Sequence, residues 1–543
     1  MPDVAKRERN RKPRIAAAVA AGKRAFDASA LSGNQHRPAF TIAHNPRARK
    51  TRMPNDSPEY RPCPRFPELG DGFFDPVAAP PFPKQIIRHR NHRWAERVGL
   101  GDLSDEQWID HFCRFEPLPG NLPEPLALRY HGHQFRNYNP QLGDGRGFLF
   151  AQLLDANDRL LDLGTKGSGP TPWSRGGDGR LTLKGGVREV LATELLEALG
   201  VYTSKTFSLI ETGEELYRGD EPSPTRSAVM VRLSHSHVRF GSFQRHAYAK
   251  DATRIQALVD YCIANFMPDL MALEGEDRIA AFLSEVCLRG AQLAASWQLA
   301  GFVHGVLNTD NMNITGESFD YGPYRFLPTF DPSFVAAYFD TSGLYSFGRQ
   351  PATVAWNLAR LAETLTLVCS EQPLADALGT YDREFRESLE QRLLIRLNLR
   401  APADGNATAA LVEAIYEFLA DTAGDNVTTT AQIADAKGEL VGYERFFFDW
   451  FGGLASAERR AVSPCAQVYA GQRARRLQEV FAAFEPADAT RMDHVYFRNG
   501  TPCTLLIDEI ESIWSAISES DDWTPLEQKL AAIAVMKSGT GTE

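Results

Sequence analysis

The chain has 543 residues, 43% hydrophobic and 24% charged, enough for two lobes with a large core. No apolar run approaches the roughly 18 residues of a membrane-spanning helix, so the sequence reads as soluble, with no membrane partner. The net charge of −10 hides an asymmetry: residues 1–55 carry 13 Lys+Arg against 3 Asp+Glu, so the remainder stands at −20, which argues against nucleic acid as a partner.

Taken in chain order, the basic start is Arg-rich and acid-poor, and "AAAVAAGKRAF" has the makings of a short amphipathic helix. It reads either as a disordered extension or a start placed too early, with the chain cytoplasmic, or as a transit peptide, with the chain mitochondrial. Residues 56–124 begin with Pro-rich stretches ("SPEYRPCPRFPELG", "PVAAPPFPK") and form an extended lead-in and a helix. From 125 to 248 short strand-like runs dominate. "GFLFAQLLDAN" and "RLLDLGTK" flank a turn near Asn157 and Asp158 and predict a hairpin; a helix over about 185–199 and a strand at "SAVMVRL" follow. From 249 to 543 the apolar spacing is helical, as in "ATRIQALVDYCIANFM" and "NATAALVEAIYEFLADTA". The expected fold is α+β, a two-lobed protein-kinase-like arrangement with a strand-rich N-lobe and a larger helical C-lobe. Seven scattered cysteines with no CxxC pair disfavour a zinc site and a dense disulfide framework, and fit a reducing compartment; a single redox-sensitive pair stays open.

Strand alternation puts Leu161, Leu163 and Thr165 on one face and Asp162, Gly164 and Lys166 on the other, so Lys166 points away from the packed face. It can reach a phosphate, as a kinase strand lysine does, although a solvated strand-end lysine has the same local pattern. Glu189 lies off the main apolar stripe of the following helix, where it can pair with Lys166 or stay exposed. "QLGDGRG" and "GSGPTPWSRGGDGR" are Gly-rich; they suit backbone contact with phosphate or simple turns. Arg232 interrupts an apolar strand, with Arg239 seven residues on; such an arginine needs an anion, either a structural carboxylate or a polyphosphate. Finally, "HGVLNTDNMNITGESFDYGPY" has the shape of a kinase-like catalytic loop. Asn311 and Asp320 are hard oxygen ligands suited to Mg²⁺ with a nucleotide. The position of the catalytic carboxylate holds Val306, and Asp310 is the nearest carboxylate left to take a proton.

These stretches resemble the selenoprotein O family. "YHGHQF", "QLGDGRG", "TKGSGPTPWSRGGDGR", "VREVLATELLEALGV", "RLSHSHVRFGSF", "HGVLNTDNMNI" and "DYGPYRF" occur in order over about residues 70–350. The resemblance implies a pseudokinase that transfers AMP, with ATP bound in a flipped pose so that its α-phosphate meets a protein hydroxyl. By the same resemblance Gly143, Gly145, Arg146 and Lys166 contact phosphates, with Glu189 supporting Lys166. Asp178 and Gly179 match nucleotide-contact positions, and Arg232 and Arg239 match those on the outer phosphates. Asn311 and Asp320 match the metal ligands, Asp320 also facing the nucleotide, and Asp310 the proton acceptor. The implied requirements are ATP and Mg²⁺, with Mn²⁺ as an alternative, and protein substrates bearing Ser, Thr or Tyr. The tail "KSGTGTE" lacks the family's C-terminal redox cysteine. Two rival functions remain, a conventional ATP phosphotransferase and a nucleotide-binding scaffold without turnover.

Overall fold

In the computed structural model, residues 59–219 and 221–541 are described, so the basic segment 1–55 and the first residues of the Pro-rich lead-in lie outside the described residues. In chain order the N-terminal strands are β1 (Phe74–Pro76), β2 (Ile86–Arg90), β3 (Leu126–Leu128), β4 (Gly132–Gln134), β5 (Asn137–Asn139), β6 (Leu149–Leu154), β7 (Leu160–Lys166), β8 (Leu181–Thr182), β9 (Lys205–Leu216) and β10 (Thr225–Ser234). Eight of them form one sheet in the order β1-β3-β6-β7-β10-β9-β2, with β8 on β10, while β4 and β5 pair as a separate hairpin. The β6–β7 hairpin expected from alternation is present, Leu154 opposite Leu160, and Asp158 takes the left-handed conformation its turn needs (φ 61°).

Both faces of this sheet are packed. On one, Leu161, Leu163, Phe207, Val229 and Val231 meet the short helices α1 (His92–Arg97) and α2 (Asp105–Phe112). A capping box between Ser104 and Gln107 starts α2 and presents Trp108 inward. Trp108 is fully buried, stacks on Phe207 at 5.1 Å, and donates its indole N–H to Ser208 Oγ at 2.9 Å. The lead-in thus supplies half of the sheet's core. On the other face, Leu149, Leu160, Leu209 and Met230 pack against α3 (Leu183–Ala198), which Thr182 caps.

The remainder is mostly helical. Its longer helices are α4 (Phe240–Tyr248), α5 (Ala252–Phe266), α6 (Gly275–Leu299), α7 (Gln350–Leu365), α8 (Tyr381–Arg396), α9 (Ala407–Asp421), α10 (Ile507–Ser520) and α11 (Thr524–Thr540). Each predicted helical run falls on one of these or on a shorter helix, and the architecture is kinase-like α+β. No helix among the described residues is long and apolar enough to cross a membrane. All seven cysteines are free, six of them buried.

The chain's last two helices return to the sheet. Helix α11 packs against α3, Lys184 pairs with Glu511 at 2.7 Å, and Lys537 lies 3.4 Å from Glu197. At the α10–α11 junction Asp521 accepts from Arg226 at 2.7 Å and Arg88 at 3.1 Å, while Arg88 lies over Trp523. Enclosed on all sides, α3 buries most of its residues rather than one stripe.

Because Trp108 joins the lead-in to the sheet, Trp108→Ala should cost about 3–5 kcal/mol of unfolding free energy. Urea denaturation followed by far-UV circular dichroism checks this; a loss below about 1 kcal/mol would show that the outer face contributes little.

Candidate active site

Four charged side chains, each from a different element, meet between the sheet and the helical part. Lys166 ends β7, Glu189 lies in the second turn of α3, Arg232 is on β10, and Asp320 opens the Asp-Tyr-Gly turn. Lys166 Nζ donates to Glu189 Oε1 at 2.5 Å and to Asp320 Oδ1 at 2.6 Å. Arg232 Nη2 reaches Glu189 Oε1 at 3.3 Å and Asp320 Oδ1 at 3.5 Å. Two cations thus balance two anions in a site where Lys166, Glu189 and Arg232 are 6%, 1% and 5% exposed. The sequence alternation puts Lys166 on an unpacked face. That face is instead covered by α3, and Lys166 is buried against a carboxylate rather than pointed into open solvent.

Neighbouring contacts fix the quartet. Arg188, beside Glu189, donates to the carbonyls of Gly322 and Tyr324 at 3.2 and 3.0 Å, so α3 also holds the turn that carries Asp320. His304 is joined through Nε2 to the carbonyl of Phe319 at 3.0 Å. Asp320 itself takes a left-handed backbone (φ 67°), which its short polar side chain tolerates. Burial would raise its pKa, but Lys166, Arg232, Arg146 and Arg239 outweigh that and hold the carboxyl well below the usual range.

The catalytic-type loop lies alongside. The carbonyl of Val306 accepts from Asn311 Nδ2 at 2.9 Å and so leaves the amide oxygen of Asn311 as its remaining donor atom to a cation. Val306 therefore keeps a backbone role in the loop while its side chain carries no acid. Asp310 is 7% exposed; Gln134 Nε2 reaches its Oδ2 at 3.5 Å, and its Oδ1 has no hydrogen-bond partner. Burial pushes its pKa up to about 6 against the opposing pull of Arg239. Arg239 donates to the Asp310 carbonyl at 2.8 Å and to Asp144 Oδ1 at 3.4 Å, and lies over the rings of Tyr130 and Phe319. Arg232 and Arg239 thus both have protein carboxylates as partners, yet each keeps a buried Nε without one.

The Gly-rich stretches are built from close approaches. A Cβ on Gly143 would fall 2.4 Å from the Trp173 ring, and one on Gly145 2.8 Å from the Trp173 carbonyl. Thr171 and Ser174 hydroxyls fasten the carbonyls of Asp144 and Gly145 at 2.5 Å each. Arg146 is exposed, and its charge acts on Asp320. Gly179 (φ 67°) touches Gly169, closing the 167–180 loop on itself. Asp178 is not brought to the quartet: it pairs with Arg218 at 2.9 Å and accepts from its own loop at Arg180 N.

Sequence reasoning missed Asp144, Gln134, Tyr130 and Phe319. Asp144 stood inside "QLGDGRG" and Gln134 inside "YHGHQF", but nothing local shows that one holds Arg239 and the other faces Asp310. The donor set tests a metal's fit. Among the described residues no three His, Cys, Asp or Glu side chains converge as a metal cage. One amide oxygen and one ionised carboxylate suit a Mg²⁺ ion that takes its other ligands from phosphate and water.

A strand lysine bound to a helix glutamate and to the aspartate of an Asp-aromatic-Gly turn defines a kinase-like fold. A family profile described as protein adenylyltransferase SelO matches residues 58–534. Among similar proteins, a protein nucleotidyltransferase YdiU of Synechocystis sp. is 42% identical over 486 residues, covering 86% of this chain and 97% of the relative. Another of the same description, from Gloeobacter violaceus, is 44% identical over 476 residues, covering 85% and 92%. The chain belongs to the SelO family of protein adenylyltransferases.

The quartet is a balanced set with three members buried, so removing one of these should cost more than removing an opposite pair. Lys166→Met is expected to lose about 3–5 kcal/mol of stability. Adding Glu189→Leu to it should cost clearly less than the sum of the two single changes. Urea denaturation of the two single variants and the double variant, without nucleotide, gives the coupling; strict additivity would mean that the four charges do not act as one site.

Proposed function

We propose that this chain transfers AMP from ATP, with Mg²⁺ or Mn²⁺, to Ser, Thr or Tyr hydroxyls of protein substrates in the cleft between the strand-rich part (125–248) and the helical part (249–543). The observation that carries this reading is the placement of Asp310. A buried carboxylate with one free oxygen adjoins Asn311, while the usual position of a kinase acid holds Val306. In this scheme the acceptor hydroxyl gives its proton to Asp310, and its oxygen forms a bond to the α-phosphorus. The bond from that phosphorus to the bridging oxygen breaks, and pyrophosphate leaves.

Lys166, Arg146, Arg232 and Arg239 supply positive charge to the polyphosphate, and Glu189 keeps Lys166 extended toward it. Gly143 and Gly145 let the backbone approach the nucleotide, and Asp178 and Gly179 contact it from the 167–180 loop. Asn311 and Asp320 would hold the divalent cation, which when bound neutralises charge on the polyphosphate. For this to happen Asp320, the most exposed of the four side chains, releases part of its contact with Lys166. The flipped nucleotide rests on the family resemblance and is supported by the missing acid at Val306.

Parallel incubations with α-³²P-ATP and γ-³²P-ATP test the reading. Protein label from the α position alone is expected; label from γ alone would establish phosphorylation instead. Asp310→Ala should lower AMP transfer by roughly 10²–10⁴, the usual contribution of a general base, with Mg·ATP affinity largely kept. Val306→Asp should create no γ-phosphate transfer. Gain of γ-label in that variant, together with full α-label in Asp310→Ala, would favour the phosphotransferase rival.

A further inference from the structure

The hairpin β4–β5 carries a turn that its sequence does not suit. Gln134 pairs with Asn137, leaving Phe135 and Arg136 as a two-residue loop with φ values of 48° and 64°. Left-handed conformations at both positions are the type I′ pattern, which favours Asn-Gly and penalises bulky side chains. Such a conformation persists only where its surroundings over-determine it.

The surroundings do so here. The amide of Phe135 donates to Asn308 Oδ1 and to the Tyr345 hydroxyl, each at 3.1 Å. His133 N donates to Thr309 Oγ1 at 2.7 Å, and Thr309 in turn donates to Gln244 Oε1 at 2.7 Å. The hairpin is therefore tied to the three residues 308–310, with Gln134, the residue before its tip, reaching Asp310 Oδ2 at 3.5 Å. From that tip the Phe135 ring packs on Tyr345 at 4.8 Å and Phe339 at 5.8 Å. Tyr338, against Phe339, is 80% exposed, and Phe339 is 48% exposed. Arg136 and Arg360 both lie over Trp356, at 5.5 and 4.9 Å. Arg360 has Glu363 as a partner; Arg136 is exposed and no carboxylate pairs with it among the described residues. On a chain whose residues beyond 55 sum to −20, an aromatic shelf edged by arginine at the mouth of the site is out of keeping with the surface.

We infer that the Phe135–Arg136 turn, with Tyr338 and Phe339, is the docking surface for the acceptor segment of the protein substrate. The segment it fits places a large apolar residue on the aromatic shelf and an acidic residue against Arg136, within a few residues of the hydroxyl presented to Asp310. Charge complementarity and continuity with the Asp310 site select this occupant. The inference rests on the proposed AMP transfer and names the class of substrate that site takes.

The test uses synthetic peptides of equal length, each with one Tyr or Ser acceptor, flanked by Glu and Phe, by Lys and Phe, or by Glu and Gly. Binding to the full chain is read by fluorescence anisotropy, and transfer by label from α-³²P-ATP. The Glu/Phe peptide should bind about five- to tenfold more tightly than either of the others. Arg136→Glu should reverse the preference between the Glu/Phe and Lys/Phe peptides, and Tyr338→Ala with Phe339→Ala should remove the advantage of Phe. Mg·ATP affinity should stay unchanged in both. Phe135→Asn with Arg136→Gly supplies the residues that the turn favours but removes the Phe135 ring and the Arg136 charge, so it should weaken the Glu/Phe peptide. Equal binding of all three peptides, an unchanged preference in Arg136→Glu, or undiminished Glu/Phe binding in the Asn-Gly variant would each overturn the inference. If peptides bind as expected while no acceptor takes α-label, the AMP-transfer reading fails and the docking surface stands.

Discussion

The ion pair between Lys166 and Glu189, extended by Asp320 and Arg232, is the constraint on which the rest depends. Burying Lys166, Glu189 and Arg232 is costly, and the cost is met only when these charges and the partly exposed Asp320 are in place together. Each comes from a different element: the end of β7, α3, β10 and the Asp-Tyr-Gly turn. The sheet, the helix and the loop must therefore adopt one mutual arrangement for any of the charges to be tolerated. The apolar packing around α3 supplies the stability, and the charges supply the register. A polyphosphate and a cation entering this site add charge of both signs to an already balanced set, so exchange of partners, rather than filling of an empty pocket, describes how it would be occupied.

The loop at residues 304–311 separates two duties that one residue position usually joins. Val306 carries no acid, while its carbonyl holds the Asn311 side chain. Asp310 has a carboxyl, and a cramped one: a Cβ on Gly132 would lie 2.9 Å from its Oδ1. Glycine at 132 is thus the condition for packing the β4–β5 hairpin over Asp310. The carboxyl is buried because the hairpin covers it, and burial is what raises its pKa.

Much of this was legible in the sequence because it is local. Alternation gave the β6–β7 hairpin, apolar spacing gave α3 and the helical second half, and the loop spacing singled out Asn311, Asp320 and Asp310. What was not legible depends on contacts across long stretches of chain. Lys166 ends a strand whose second face is covered by α3, and that helix is in turn enclosed by residues more than three hundred positions later. The lead-in reads as extended chain and a helix, but nothing local shows that Trp108, on that helix, packs against one face of the sheet. Asp144 and Gln134 sat inside stretches already marked as unusual, but the side chains they hold, Arg239 and Asp310, come from distant segments. Asp178, singled out by resemblance, pairs with Arg218, a partner that no local pattern announces.

The return of α10 and α11 to the sheet has a consequence for synthesis. Helix α3, which carries Glu189, is closed on its outer side by the last helix of the described chain, and Arg226 and Arg88, already paired with Glu211, gain a second acidic partner at Asp521. As the polypeptide leaves the ribosome, the strands, α3 and the catalytic-type loop all emerge well before the segment that encloses them. The nascent chain passes through a stage in which every residue of the quartet exists but the helix holding Glu189 still exposes an apolar flank. Enclosure of α3 therefore waits for α10 and α11, which are translated more than three hundred residues after it.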